Sequence, residues 1–269
     1  MTSEDRDPTL VQQDDEGSRS SRSWRDDDPP RERRRRLSIW EESGILVVVA
    51  IVLALVVKQF FFQAFYIPSE SMEPGLVKND RILVEKPSYW FGQPQRGDVI
   101  VFSDPGGWLD AEESSTGTNP VTKVLSKVGL YPSGGHLVKR VIGVPGDTIT
   151  CCTTKGWLEV NGHPLQESSY ARPGVIDGKT CYGPMPGACH WSVGPVPAGF
   201  LFVMGDNRAH SADSSYHLCE IGGVRETDCT NSPWVPEHDV VGKVAALIWP
   251  PGRAHVVERP SDFSADLAP

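Results

Sequence analysis

Residues 136–144 read HLVKRVIGV. Valine and isoleucine crowd the segment, and Gly143 and Pro145 close it, so it reads as a β-strand. The strand period of two puts Leu137, Lys139 and Val141 on one face. A lysine between two apolar neighbours on the same face is a candidate for burial. Burial disfavours the ammonium and pulls the group down from its free value of about 10.4, toward neutral amine at physiological pH. The plainer alternative is a lysine that snorkels from a strand end.

Working outward, the same composition recurs. RILVEK (81–86), DVIVF (98–102), DTIT (147–150), LFVMG (201–205) and VVGKVAALIW (240–249) are rich in Val, Ile and Phe and bounded by Gly, Pro or Asp. WLEVNGHPL carries an Asn161-Gly162 hairpin signal. The body of the chain is therefore mainly β. No internal repeat interrupts it.

The N-terminal third is different. Residues 1–40 are polar and cannot bury a core, which predicts a disordered tail ending in the basic cluster Arg31 and Arg33 to Arg36. From Ile45 to Val57 every residue is apolar. A membrane span needs about 20 residues, and Gly44 to Phe62 supplies them if Lys58 snorkels. The aromatic group through Tyr66 suits the far interface, and the arginines keep the tail on the cytoplasmic side. The spacing predicts one transmembrane helix within an anchor over 41–66, with everything after Tyr66 extracytoplasmic. Two alternatives are a cleaved signal peptide, disfavoured by the long polar lead and the aromatic flank, and a buried core helix, disfavoured by the basic flank.

Beyond the anchor, 67–150 and 199–257 read as the β core. Residues 103–135 form a Gly/Ser/Thr-rich insertion in which Val121, Val124, Leu125 and Val128 follow helical spacing. That helix either packs on the sheet or lies on a membrane surface with Lys123 and Lys127 near headgroups. Residues 151–198 read as an inserted lobe holding four cysteines, and 258–269 as a flexible tail.

The 269 residues carry a formal net charge of −9, which argues against a nucleic-acid partner. All six cysteines (151, 152, 181, 189, 219 and 229) lie in the second half, none in a CxxC pair. Zinc is not expected, and disulfides in an oxidising compartment are. Cys181 with Cys189 is the best single pair, because the intervening Gly and Pro let the chain turn back. The alternative is six buried thiols.

Ala64–Leu76 reads AFYIPSESMEPGL, a serine pair at the end of the apolar run. A nucleophilic serine needs a base. Lys139, His136 and His210 are the candidates. His210 lies near Asp206 and Asp213, so a Ser71–His210–Asp triad is one reading; it would titrate near pH ~6.5.

YIPSESMEPGL resembles the serine box of the type I signal peptidases, membrane-bound Ser-Lys proteases. RGDVIVF (96–102), HLVKRVIGVPGD (136–147) and MGDNRAHSADSSYH (204–217) resemble their remaining boxes, in family order and behind an anchor. The resemblance covers roughly 41–250. It implies a mostly antiparallel β core of the signal-peptidase kind with an inserted lobe. It implies Ser71 as nucleophile and Lys139 as general base, acting through an acyl-enzyme. Ser69 would join the Ser71 N–H in an oxyanion hole, Ser211 would orient the Lys139 amine, and Asp206, Arg208 and Asp213 would support the site. Met72 would shape the substrate pocket. No metal or other cofactor is implied.

Three positions depart from the family pattern. Gly75 stands for a threonine, Ala209-His210 for an Asp-Asn pair, and Ser215 for an arginine that would pair with Asp213.

The implied function is removal of signal peptides from secretory preproteins bearing small residues of the Ala-x-Ala type, at the phospholipid bilayer. Shallow apolar pockets would take the methyl groups and a strand edge would hold the peptide. The rivals are a related Ser-Lys autoprotease and a catalytically weak, membrane-tethered paralogue acting as a binding module.

Overall fold

The structure, a computed structural model, describes residues 38–109, 135–184, 188–218, 220–221, 224–225, 232–264 and 267. The basic cluster, the helical spacing at 121–128, Cys219 and Cys229 lie outside the described residues, as does the Lys58 side chain. The chain divides into two compact units, Met1–Val47 and Val48–Pro269.

Helix α1 spans Ile39–Phe60. The Ser38 carbonyl accepts the first helical bond from the Glu42 N–H, and the Glu41 carboxylate reaches back to the Ser38 N–H at 2.9 Å, half of a capping box. Within it Ile39–Val57 is long and apolar enough, by length and composition, to cross a membrane. Its described apolar side chains from Ile45 to Val57 stand exposed.

The strands that follow are β1 (Phe62–Tyr66), β2 (Arg81–Glu85), β3 (Val99–Ser103), β4 (His136–Gly143), β5 (Ile149–Cys151), β6 (Leu158–Val160), β7 (His163–Pro164), β8 (Gly174–Ile176), β9 (Lys179–Cys181), β10 (Trp191–Val193), β11 (Phe200–Met204), β12 (Glu220–Ile221), β13 (Val224–Arg225), β14 (Val235–Pro236), β15 (Val240–Trp249) and β16 (His255–Val256). The main sheet runs β1-β2-β15-β3-β4-β11-β14, with β16 on β15, and every one of its pairings is antiparallel. The fold is mainly antiparallel β, preceded by one apolar helix.

Alternation along the strands separates two apolar clusters. Val99 and Val101 of β3 pack with Phe65, Ile82, Val84 and Val244 on one side. Ile100 and Phe102 pack with Leu137, Val141, Leu201 and Val203 on the other. The aromatic run expected at a membrane interface is divided: Phe60 ends the helix, while Phe62–Tyr66 joins the sheet edge. Phe65, opposite Ile82, is buried there.

Strands between Ile149 and Val193 build a second sheet, β10-β5-β6-β7, and the β8–β9 hairpin. Asn161 (φ 52°) and Gly162 (φ 79°) turn β6 into β7, the left-handed pair a type I′ turn requires. This sheet shares its core with the main one: Ile149, Leu158, Leu165 and Trp191 pack with Ile142, Phe202 and Met204. The insertion after β3 is anchored at its start, where the Asp104 carboxylate accepts the N–H groups of Gly106 and Trp108, each at 3.0 Å, and Trp108 buries its ring beside Phe102.

Candidate active site

The serine segment leaves β1 as a pinned loop. Ile67 and Asn79 bond across its neck to Asp80 and Ile67, each at 2.9 Å. The Asp80 carboxylate accepts the Val77 N–H at 2.8 Å, and Arg253 holds both that carboxylate and the Gly75 carbonyl at 3.1 Å. Met72, only 1% exposed, anchors the loop in the core with Ile67 and Leu76. Ser71 is thereby presented next to a buried hydrophobic cluster while its hydroxyl faces β4.

Lys139 is 3% exposed, and its Nζ lies 2.8 Å from Ser71 Oγ. Ser69 Oγ lies 3.3 Å from the same oxygen. The sheet explains the meeting. Lys139 stands in the middle of β4, opposite Ile100 of β3, with the buried Leu137 and Val141 on the same face.

Its neighbour Arg140 is buried as well. It grips Asp206 bidentately, Nε to Oδ1 at 2.8 Å and Nη2 to Oδ2 at 2.7 Å, and donates to the Gly97 carbonyl. Burial works against its charge, yet Asp206 holds the guanidinium above its ordinary range. The following loop is stitched to the serine segment through Asn207, whose N–H donates to the Ser71 carbonyl at 3.0 Å. Its side-chain amide donates to the Glu70 carbonyl at 3.2 Å.

Asp213 is fully buried and accepts four hydrogen bonds: from the Gly205 N–H at 2.9 Å, the Ser211 hydroxyl at 2.5 Å, and the Ser215 N–H and hydroxyl at 3.0 and 2.7 Å. Where the family's arginine would form an ion pair, Ser215 satisfies the carboxylate with two neutral donors. Arg208 is fully buried against Glu167, with Nη2 2.6 Å from Oε1. The His210 ring meets the Glu70 carboxylate at 2.9 Å on the exposed rim, while Lys139 occupies the position beside Ser71 Oγ.

The structure therefore brings Ser69 and Lys139 to the Ser71 hydroxyl and holds Asp206, Ser211 and Asp213 in the loop bonded to the Ser71 segment, with Met72 buried in the adjoining core. Arg140, Glu167, Gly205 and Asn207 were not singled out from the sequence. Arg140 had a signal: on a strand buried on both faces, the residue after a buried lysine also points inward. Glu167 had none, because its partner lies 41 positions away in another loop.

Cys181, at the end of β9, is joined to Cys189, the pair expected from the sequence, and Cys151 of β5 to Cys152. The four sulfurs lie within 4.8 Å of one another.

The family model for signal peptidase, peptidase S26, matches residues 40–249. The chain is 44% identical over 209 residues to the probable signal peptidase I of Mycobacterium leprae, covering 72% of this chain and 71% of that protein. It is 42% identical over 213 residues to the signal peptidase I of Mycobacterium tuberculosis, covering 74% and 68%. A crystal structure of a signal peptidase I from Enterococcus faecalis overlaps 56% of this chain and 97% of its own, at 24% identity and a TM-score of 0.34; the fold assignment rests on the strand pairings above. The chain belongs to the signal peptidase, peptidase S26, family.

Proposed function

We propose that this chain is a membrane-tethered serine endopeptidase that removes signal peptides from secretory preproteins, with Ser71 as nucleophile and Lys139 as general base. The observation that carries this reading is the 2.8 Å approach of a buried lysine amine to a buried serine hydroxyl. As the neutral amine, Lys139 would be able to accept the Ser71 proton.

The chemistry follows from those groups. Lys139 takes the Ser71 hydroxyl proton as Oγ attacks the scissile carbonyl carbon. The oxyanion is held by the Ser71 N–H and the Ser69 hydroxyl. The lysine ammonium then gives its proton to the departing amine nitrogen, leaving a Ser71 ester of the signal peptide. Lys139 next deprotonates a water, which attacks the ester carbonyl. The signal peptide leaves as a carboxylate and Oγ regains its proton. Ser211 has committed its own proton to Asp213, so its remaining lone pairs suit it to accept from, and aim, the Lys139 amine.

The apolar span Ile39–Val57 would tether the site at the bilayer, where signal peptides emerge. The arginines before it favour a cytoplasmic N-terminus, and the paired cysteines suit an extracytoplasmic catalytic body. The anchor in this reading is the helix Ile39–Phe60, shorter than the 41–66 expected from the sequence because Phe62–Tyr66 pairs with β2. The substrates are preproteins with small residues of the Ala-x-Ala kind, accepted in shallow apolar pockets beside Met72.

The test is cleavage of a purified preprotein by the full chain in detergent or vesicles, with the new N-terminus sequenced. Cleavage after the small-residue motif, absent in Ser71→Ala, supports the reading. Equal cleavage by Ser71→Ala rejects it.

A further inference from the structure

Glu167 lies in the second-sheet segment, away from every box that resembles the family. It is fully buried in a single helical turn after β7. Its Oε2 accepts the Leu158 N–H at 3.1 Å, and its Oε1 accepts the Tyr170 hydroxyl at 3.2 Å and meets Arg208 Nη2 at 2.6 Å. A buried, paired carboxylate of this kind is expensive to place in a protein interior, so its consequence for the reaction is worth following outward.

Arg208 hands the interaction on. Its Nε donates to the Gly205 carbonyl at 2.9 Å, its Nη1 to the Tyr182 carbonyl, and its backbone N–H to the Arg172 carbonyl at 3.0 Å. Burial opposes the guanidinium charge, but Glu167 beside it keeps the group protonated, well above its ordinary range.

Gly205 is where this chain of contacts reaches the cleft. Its N–H is held by Asp213 and its carbonyl by Arg208, so both ends of the residue are fixed by charged groups. Its Cα packs so tightly that a Cβ there would stand 2.4 Å from the Ser71 carbonyl oxygen and 2.4 Å from Ser211 Oγ. Gly205 thus sets the spacing between the segment bearing Ser71 and the hydroxyl at Ser211.

We propose that Glu167 is a positioning residue for the reaction: through Arg208 it fixes Gly205, and with it the spacing of Ser71 and Ser211 around the Lys139 amine. The inference rests on the assignment of Ser71 and Lys139 above. Glu167 touches neither substrate nor reacting atoms. Without its charge, Arg208 loses the group that aims it, and the Gly205 carbonyl loses its donor. Transition-state geometry suffers while the substrate-binding surfaces remain, so the loss falls on kcat.

The experiment compares full-length wild type, Glu167→Gln, the doubly substituted Glu167→Leu/Arg208→Met and Ser71→Ala. Preprotein cleavage gives kcat and KM, the folded fraction is measured by thermal unfolding, and kcat is expressed per folded molecule. The double variant removes both charges, so no unpaired ion is left in the core, and such replacements are often neutral for stability. The expected result is a kcat about 10- to 100-fold lower in both variants, with KM within about twofold of wild type. Wild-type kcat per folded molecule in either variant overturns the inference. A double variant that does not fold also overturns it, since Glu167 and Arg208 would then serve folding and not positioning. Cleavage by Ser71→Ala would instead sink the Ser71 assignment. An inactive Ser71→Ala beside fully active Glu167 variants would remove only the role of Glu167.

Discussion

The Asn207 N–H donates to the Ser71 carbonyl at 3.0 Å, joining two loops that lie 136 positions apart in the chain. The nucleophile candidate is thus held from behind by the loop that also carries Asp206, Arg208, Ser211 and Asp213. Arg140, next to Lys139 on β4, grips that same loop through Asp206. One strand and two loops form a closed frame, and the Lys139 amine projects into it.

Gly205 is the tightest point of this frame. An added methyl would overlap the Ser71 backbone oxygen and Ser211 Oγ, and backbone cannot step aside as a flexible side chain does. Gly205→Ala is expected to lower kcat by about 100-fold or more, since misplacement by about 1 Å suffices for that. Preprotein cleavage at saturating substrate checks it, and a near-normal kcat would show that the serine segment is free to move.

Ser71→Ala and Lys139→Ala should each lower cleavage by about 10⁴-fold or more, because members of one catalytic unit fail together. Ser71→Ala/Lys139→Ala should be no worse than either single variant. His210 meets Glu70 on the rim, both side chains more than half exposed, so His210→Ala should leave the pH dependence of kcat/KM in place. A pH limb that vanishes in His210→Ala would instead assign the base to histidine.

Ser69 stands 3.3 Å from Ser71 Oγ, close enough for its hydroxyl to turn toward an oxyanion formed there. Ser69→Ala should reduce kcat by about 10²–10³, the usual contribution of one oxyanion donor, with little change in KM. Steady-state kinetics separate the two constants, and a defect confined to KM rejects the role.

Much of this site was legible in the sequence. Strand alternation made Lys139 a candidate for burial, and the resemblance of the ordered boxes joined Ser71 to it before any distance was known. The Asn161-Gly162 turn and the strands within 81–86, 136–144 and 240–249 followed from local composition. Phe62–Tyr66 was obscured because an aromatic-rich strand directly after an apolar helix resembles the end of the helix. In the second sheet DTIT and the Asn161-Gly162 hairpin were legible, while the three-residue strands β8, β9 and β10 are too short for any periodicity. Glu167 and Gly205 act through contacts between loops, and neither a period nor a turn signal reports such contacts.

Asp98, at the entrance to β3, provides a pH test of the frame. It is 2% exposed and meets Arg259 at 2.8 Å and Lys243 at 2.9 Å. The Gln95 N–H and Tyr89 hydroxyl also donate to it, at 3.0 and 3.1 Å. Burial alone would raise its pKa, but the Arg259 and Lys243 bonds hold the carboxyl below its ordinary value of 3.8. A carboxyl depressed in the folded state binds fewer protons there than in the unfolded chain. Its contribution to stability is therefore complete above the ordinary value and disappears as pH falls through the folded one. Asp98→Asn removes this contribution and leaves two cations without their shared partner. Those cations are partly solvated, so the expected loss at pH 7 is about 1–3 kcal/mol. Denaturant unfolding of the full chain at pH 7 and at pH 3 checks both points: the gap between Asp98→Asn and wild type should be largest at pH 7 and narrow at pH 3. A gap that stays constant with pH would mean that the Asp98 charge contributes nothing and that the loss is one of packing.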